Sequence, residues 1–267
     1  MGVQLHIEDP FVDGEVHFLA MRDQYIERVL CFPREPPCSV LEERVRKLTA
    51  HDFVYLLETG MLFQGLRVVG KGYSAILVLA KHRTHGLGLL KLRRVDSRRL
   101  SLRHEGELAT KAWLTGCHPR IHLVDDDYVF REYLPRGQCR GVAEVLEQAL
   151  ETNRRDEVTE IILKTLLTLR RLDAAGLDHR ELNRPGDHLL YCKGAVYVID
   201  WESGREAEKP SNVSAFVSYL LYRFHMGENL RKTLGYEPES VLKAVKKYKR
   251  EMSEISFTNL LIAMRLQ

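Results

Sequence analysis

Leu177-Asp178-His179-Arg180-Glu181-Leu182-Asn183-Arg184-Pro185-Gly186-Asp187-His188 stands between a long apolar helical stretch and two short strand segments, Leu189 to Cys192 and Val196 to Ile199, the second of which runs into Asp200. Ahead of it, Val158, Ile161, Ile162, Leu166, Leu169 and Leu172 recur at helical spacing, with Leu163 and Leu167 widening the stripe. That pattern predicts a buried helix over 156–175. A loop that leaves a buried helix, enters a strand pair and carries His, Asp, Glu and Arg this densely reads as a site rather than a solvated connection. Asp200 carries the strongest single assignment, because a carboxylate at the end of a buried strand is well placed for a hard cation.

Working back from this stretch, the middle of the chain alternates strands with glycine turns. Leu66–Val69, Ala75–Ala80 and Leu89–Arg93 read as strands, followed by a helix from Ser97, as its cap, to Thr115. Ile121–Val124 and Tyr128–Tyr133 read as a hairpin across the acidic tip Asp125-Asp126-Asp127. Gly70-Lys71-Gly72-Tyr73-Ser74 joins two of the strands, and glycines there let backbone N–H groups approach phosphates. Lys91, set among Leu89, Leu90 and Leu92, is costly to bury without a partner. The following helix offers Glu105 and Glu107, of which Glu105 is the chosen partner.

Before residue 62 the reading is helical: Met21–Leu30, a helix capped by Ser39, and a second stretch over His51–Glu58 that stops at Gly60. Arg44, Arg46 and Lys47 read as one solvated helix face. After Asp200, helices are predicted around Val213–Phe224, Pro238–Tyr248 and Ile255–Leu266.

In this order, the glycine turn, Lys91, Glu105, the Tyr128–Pro135 strand, His179-Arg180-Glu181 and Asp200 resemble the protein-kinase-like superfamily. The nearest likeness is to its small archaeal predicted Ser/Thr kinases, related to RIO kinases and to the small kinase of the KEOPS complex. The resemblance covers roughly residues 62 to 204. It implies an α+β, bilobal fold. An antiparallel five-stranded N-lobe with one helix would span 62–135. A mainly helical C-lobe, short and without an activation loop, would span 136–267. Residues 1–61 would form a largely helical N-terminal extension.

The resemblance also assigns roles. ATP would bind with Mg²⁺ or Mn²⁺. Gly70, Lys71, Gly72, Tyr73, Ser74 and Lys91 would surround its phosphates, Glu105 would hold Lys91, and the strand carrying Glu132 and Leu134 would lead into the adenine-binding hinge. His179-Arg180-Glu181 matches His-Arg-Asp with Glu for Asp, so Glu181 would orient the acceptor hydroxyl and take its proton. Asp200 takes the place of the metal-binding Asp of Asp-Phe-Gly. Gly186 stands where the metal-binding Asn is expected, which leaves Asp187 and His188 as alternatives. Lys91, Glu181 and Asp200 are thus the expected catalytic residues of an atypical Ser/Thr kinase. Its γ-phosphate would pass to a protein hydroxyl, its own included. The alternatives are a small-molecule phosphotransferase of the same fold and a catalytically weak ATP-binding switch in RNA or ribosome maturation. The expected partners are ATP, an unidentified protein acceptor and a ribosomal or RNA-maturation complex.

The bulk properties narrow the classes. The 267 residues are 45% hydrophobic, an ordinary globular composition, and 40 basic against 37 acidic residues leave +3, too balanced for a general polyanion binder. No segment is apolar enough to span a bilayer, and Met1–His6 lacks the apolar core of a signal peptide. Five cysteines without C-x-x-C spacing argue against a zinc site and for reduced thiols in the cytoplasm, with Cys31–Cys38 pairing as a minority alternative across the proline-rich turn.

Overall fold

The structure, a computed structural model, describes residues 13–135 and 137–267. The expectation for Met1–His6 lies outside them, as does the side chain of Asp187. The chain divides into two compact units, one of residues 1–107 and 120–135, the other of residues 108–119 and 136–267. The fold is α+β, with antiparallel sheets.

In the first unit the elements are β1 (Glu15–Phe18), α1 (Gln24–Cys31), α2 (Leu41–Ala50), β2 (Phe53–Glu58), β3 (Met61–Phe63), β4 (Leu66–Val68), β5 (Gly70–Lys71), β6 (Ala75–His82), β7 (Gly86–Arg93), the start of α3 (Arg103–Leu114), β8 (Ile121–Val124) and β9 (Tyr128–Glu132). Its main sheet runs β1-β2-β6-β7-β9-β8, with β5 paired to β6. One face of this sheet carries the larger core: Leu56, Ile76, Val78, Ala80, Leu90, Leu92 and Phe130 pack with Ile26, Val29 and Leu30 of α1 and Leu41 and Leu48 of α2. The other face has a smaller cluster of Val16, Leu57, Leu79 and Leu89.

Several expectations are corrected here. Residues 53–58 form a strand, not a helix. Phe53, Val54 and Tyr55 suit a pleated surface, and β1 and β6 pair with β2 on its two sides. The sheet therefore has seven strands rather than five, and residues 15–58 supply two of them alongside helices α1 and α2. Ser39 does not cap α2, whose cap position is Val40. Helix α3 begins at Arg103 rather than Ser97. Residues before it are held in turns in which Ser97 Oγ accepts from Arg99 N–H and Ser101 Oγ from Arg103 N–H.

Nor are Arg44 and Lys47 a solvated face. Arg44 is fully buried and donates to the carbonyls of Leu30 and Arg93 (both 2.6 Å) and to Asp127 Oδ1 (3.3 Å). Lys47 and Arg93 also reach Asp127, at 3.1 and 2.8 Å. Burial by itself would raise the Asp127 carboxyl, but the Arg93 and Lys47 hydrogen bonds and the Arg44 charge outweigh it and hold the group below the usual carboxylate range.

The second unit contains β10 (Cys139–Gly141), α4 (Val142–Glu151), α5 (Arg155–Ala174), β11 (Leu177–Asp178), a 3₁₀ turn (Gly186–His188), β12 (Leu189–Cys192), β13 (Ala195–Val198), β14 (Arg205–Glu206), α6 (Asn212–Tyr222), α7 (Gly227–Leu234), α8 (Pro238–Glu251) and α9 (Glu254–Ala263). Helix α5 buries Val158, Ile161, Ile162, Leu166, Leu169 and Leu172, the stripe its spacing predicts. Helices α4 and α7 were not anticipated.

The reduced-thiol expectation is overturned. Cys31 and Cys38 are bonded across the proline-rich turn, and Cys139 and Cys192 across strands, leaving Cys117 as a buried free thiol. The second bridge follows from register: Cys139 lies directly opposite Cys192 in the β10–β12 pair, with Cα atoms 4.2 Å apart. Among the described residues, no helix is long and apolar enough to cross a membrane.

Candidate active site

In the first unit, Lys91 lies on β7, between Leu77 of β6 and Val129 of β9 in the ladder. The alternation that the sequence left unresolved is settled by packing: Leu90 and Leu92 enter the larger core, and Leu89 lies in the smaller cluster on the other face. Lys91 shares that second face. Its Nζ donates to Glu105 Oε1 at 2.5 Å, with side-chain exposures of 16% and 9%. Helix α3 delivers Glu105 from its first turn because the next residue is Gly106. A Cβ there would stand 2.4 Å from Val124 Cγ1, so only glycine allows the helix this close to β8.

The glycine segment is not a simple turn. Gly70 and Lys71 form β5, opposite Leu77 and Ile76, and the chain reverses over Gly72-Tyr73-Ser74 with Gly72 N–H donating to Ala75 O at 2.8 Å. Arg94 ties the reversal down through Gly72 O (3.3 Å) and Ser74 O (2.9 Å). Ser74 is buried and Tyr73 exposed, while Lys71 Nζ sits 4.4 Å from the Phe63 ring centroid. Gly72 needs no positive φ, and a Cβ on it would meet only Ala75 O at an ordinary 3.6 Å. The fold itself does not require glycine there. Glu132, opposite Gly88 at the end of β9, donates its N–H to Arg120 O at 2.8 Å. Leu134 is half-buried just beyond.

In the second unit, three of the expected residues meet. His188 Nε2 lies 3.3 Å from Glu181 Oε2, and His188 Nδ1 lies 3.9 Å from Asp200 Oδ2. The two carboxylates thus flank opposite ring nitrogens and do not converge on one point. Both are about two-fifths exposed, at 39% and 40%. Strand pairing brings them together: β12 and β13 are in register from Leu189↔Val198, and Ile199 N–H donates to His188 O at 2.9 Å, which extends the ladder to the residue before Asp200. Asp200 itself has φ +65° and Arg180 φ +74°. A left-handed non-glycine residue costs roughly 1–3 kcal/mol and persists where its surroundings over-determine it.

The loop is anchored from below. His179 is fully buried, and burial holds its imidazole below the usual range, so it is neutral and donates Nε2–H to Ile199 O at 3.0 Å. Its ring lies 5.1 Å from that of buried Trp201. His179 N–H donates to Asn212 Oδ1 (2.9 Å), and Asn212 Nδ2 donates to Leu177 O (2.5 Å) and Asp173 Oδ1 (2.8 Å). Asp173 also accepts from Asn212 N–H, Val213 N–H and Tyr248 OH. Its burial nevertheless keeps the carboxyl above the usual range.

Sequence reasoning missed Asn212, at the start of α6, and Ser203, whose Oγ donates to Glu181 Oε1 at 2.8 Å. Asn212 is legible only as a helix-start residue, and nothing local marks Ser203. A hydroxyl donating to Glu181 shows that this carboxylate can receive one. Asp200 with the neighbouring His188 nitrogen offers donors that a divalent cation accepts.

No family model matches the chain. Among curated proteins, the uncharacterized protein MJ1211 of Methanocaldococcus jannaschii is 24% identical over 110 residues, a stretch that makes up 40% of this chain and 94% of that protein.

Proposed function

We propose that this chain is an ATP-dependent phosphotransferase of the protein-kinase-like type, an atypical, RIO-like Ser/Thr kinase that passes the γ-phosphate to a protein hydroxyl. The observation that carries the reading is the Lys91–Glu105 pair: a lysine on an inner strand, oriented by a glutamate in the first turn of the next helix. Kinases hold Lys against the ATP phosphates in this way. The fold-independent glycine at position 72 supports it, since a ligand approaching the backbone accounts for a residue that packing does not.

In the second unit, Glu181 receives the acceptor's hydroxyl proton, the part Ser203 now rehearses at 2.8 Å. His188, with Nε2 3.3 Å from Glu181 Oε2, keeps that carboxylate oriented. Asn212 and Asp173 hold the loop backbone, so Glu181 and Asp200 need little reorganisation at transfer. A divalent cation held by Asp200, with His188 beside it, would neutralise charge on the phosphate oxygens. Only residues 201–211 separate Asp200 from α6, which supports a kinase without a long activation segment.

The test is incubation with γ-labelled ATP and Mg²⁺ or Mn²⁺, wild type beside Asp200→Ala and Glu181→Gln. Label on the protein or an added acceptor should fall at least about 100-fold in both variants, in line with the loss of a positioned charge or base. Transfer retained by folded Asp200→Ala refutes the reading. Ser203 occupying Glu181 favours one second reading, an ATP-binding switch without transfer, which ATP binding with no labelled product would select.

A further inference from the structure

We propose a second site in the first unit, apart from every residue used above: Glu15, His17 and Glu58 bind a divalent transition-metal ion of the zinc class. The register of β1 on β2 sets Glu15 opposite Glu58 and His17 opposite Leu56. Facing residues share a sheet face, as do residues two apart, so Glu15, His17 and Glu58 project together. Gly14 permits this close entry, because a Cβ there would stand 2.5 Å from Glu58 O. One ligand atom from each of the three lies within 4.8 Å of the others.

The electrostatics call for a cation. His17 is buried, with a side-chain exposure of 9%, and its Nδ1 lies 2.8 Å from Asp23 Oδ2. An ionised carboxylate can only accept, so Nδ1 carries a proton, and in the neutral ring Nε2 presents a lone pair. Nε2 points toward Glu58 Oε2 at 3.2 Å, yet it has no hydrogen-bond partner among the described residues. In that tautomer two lone pairs face each other across 3.2 Å, an arrangement a shared cation relieves. Donors roughly 2.1 Å from a tetrahedral Zn²⁺ are roughly 3.4 Å apart, close to the separation found. Glu15, Asp23 and Glu58 gather three carboxylates about this one imidazole, and among the described residues no Lys or Arg forms an ion pair with any of them.

The surroundings are built to hold the imidazole. Asp23 is the N-cap of α1, its Oδ1 fixed by Ile26 N–H at 3.1 Å, and so it serves as the orienting carboxylate behind a ligating histidine. Tyr25 stacks on the His17 ring at 4.3 Å and 26°. Glu58 Oε1 accepts from Arg67 N–H at 3.3 Å, which leaves Oε2 for the ion. Glu15 is exposed and forms the open side. One nitrogen and two carboxylates suit Zn²⁺ better than the all-oxygen sets of Ca²⁺ or Mg²⁺.

The experiment is equilibrium dialysis of the full chain against Zn²⁺ alone, with bound metal measured by mass spectrometry. It is performed in the Asp200→Ala background so that the cluster around His188 does not contribute. One equivalent should bind. Glu15→Gln, at an exposed position, and His17→Gln should each weaken binding at least tenfold, and Asp23→Asn by about 10–100-fold through loss of the orienting carboxylate. Circular dichroism checks that each variant is folded. Should His17→Gln fail to fold, Glu15→Gln decides the matter. The proposal is overturned if the parent binds no Zn²⁺ or if Glu15→Gln binds it as tightly as the parent.

Discussion

Replacing Asn212 by Ala tests whether the Glu181 loop is held from beneath. The side chain is buried, and three hydrogen bonds go with it: from His179 N–H, to Leu177 O and to Asp173 Oδ1. Asp173 Oδ1 keeps the Asn212 backbone N–H, so two buried backbone groups lose a partner. At about 1–3 kcal/mol for each buried group left unpaired, the cost is about 2–6 kcal/mol. The reporter is already in place. The chain has two tryptophans, Trp113 and Trp201, and both belong to the second unit. Urea unfolding followed by tryptophan fluorescence therefore reads this unit, and the midpoint should fall with an unchanged slope. Asn212→Asp should be worse than Ala at pH 7, because it sets a second carboxylate against Asp173. Two such groups raise each other's pKa, so this penalty shrinks as pH falls and one of them takes a proton. A loss under about 0.5 kcal/mol for Asn212→Ala, the scale of an indifferent surface change, would refute the anchoring argument.

Other outcomes follow from the same reasoning. Asp127→Ala, which strips the carboxylate from buried Arg44, should destabilise the first unit by about 3–5 kcal/mol, read by hydrogen exchange of β7 and β9 amides. Because the folded Asp127 carboxyl is depressed, its contribution is complete above the unfolded value of roughly 3.9 and is lost as pH falls through the lower folded value. Asp127→Asn should therefore flatten the acid limb of the stability profile, and an unchanged limb would count against the network. Gly72→Ala should leave thermal stability intact or raise it by about 0.4–1 kcal/mol while weakening ATP binding, measured by calorimetry; unaltered affinity would return Gly72 to plain turn chemistry. Alkylation of the unfolded, unreduced chain should label one thiol, Cys117, and all five only after reduction. Losing the Cys139–Cys192 bridge, which spans 53 residues, should cost about 4 kcal/mol by chain entropy.

What the sequence discloses is local chemistry in chain order, and what it conceals is pairing. Lys91 and Glu105 are legible because a charge on an apolar strand needs a partner and the next helix begins with one. The β12–β13 hairpin and the buried stripe of α5 follow from spacing alone. By contrast, Phe53-Val54-Tyr55-Leu56-Leu57-Glu58 fits a helix or a strand by composition, and only its neighbours β1 and β6 decide. The same holds for Cys139 and Cys192, whose bridge depends on the β10–β12 register. His188 stands between Glu181 and Asp200 because the ladder extends to Ile199 N–H, a backbone fact with no residue signature. Arg44 looks like any helix-surface arginine until the carbonyls it serves have arrived from elsewhere.

That arrival takes time. Arg44 takes its acceptors from residues 14, 49 and 83 positions away. On a growing chain, at about 5–20 residues per second, Asp127 is added some 4–17 s after Arg44. The chain also leaves the first unit at residue 108 and returns to it at 120. Burying a guanidinium ahead of its counter-charge is costly, so the Arg44 network can close only once the β8–β9 hairpin is present. The first unit is thus complete only after part of the second has been made, and its Arg44 network adds long-range contacts of the kind that slow folding.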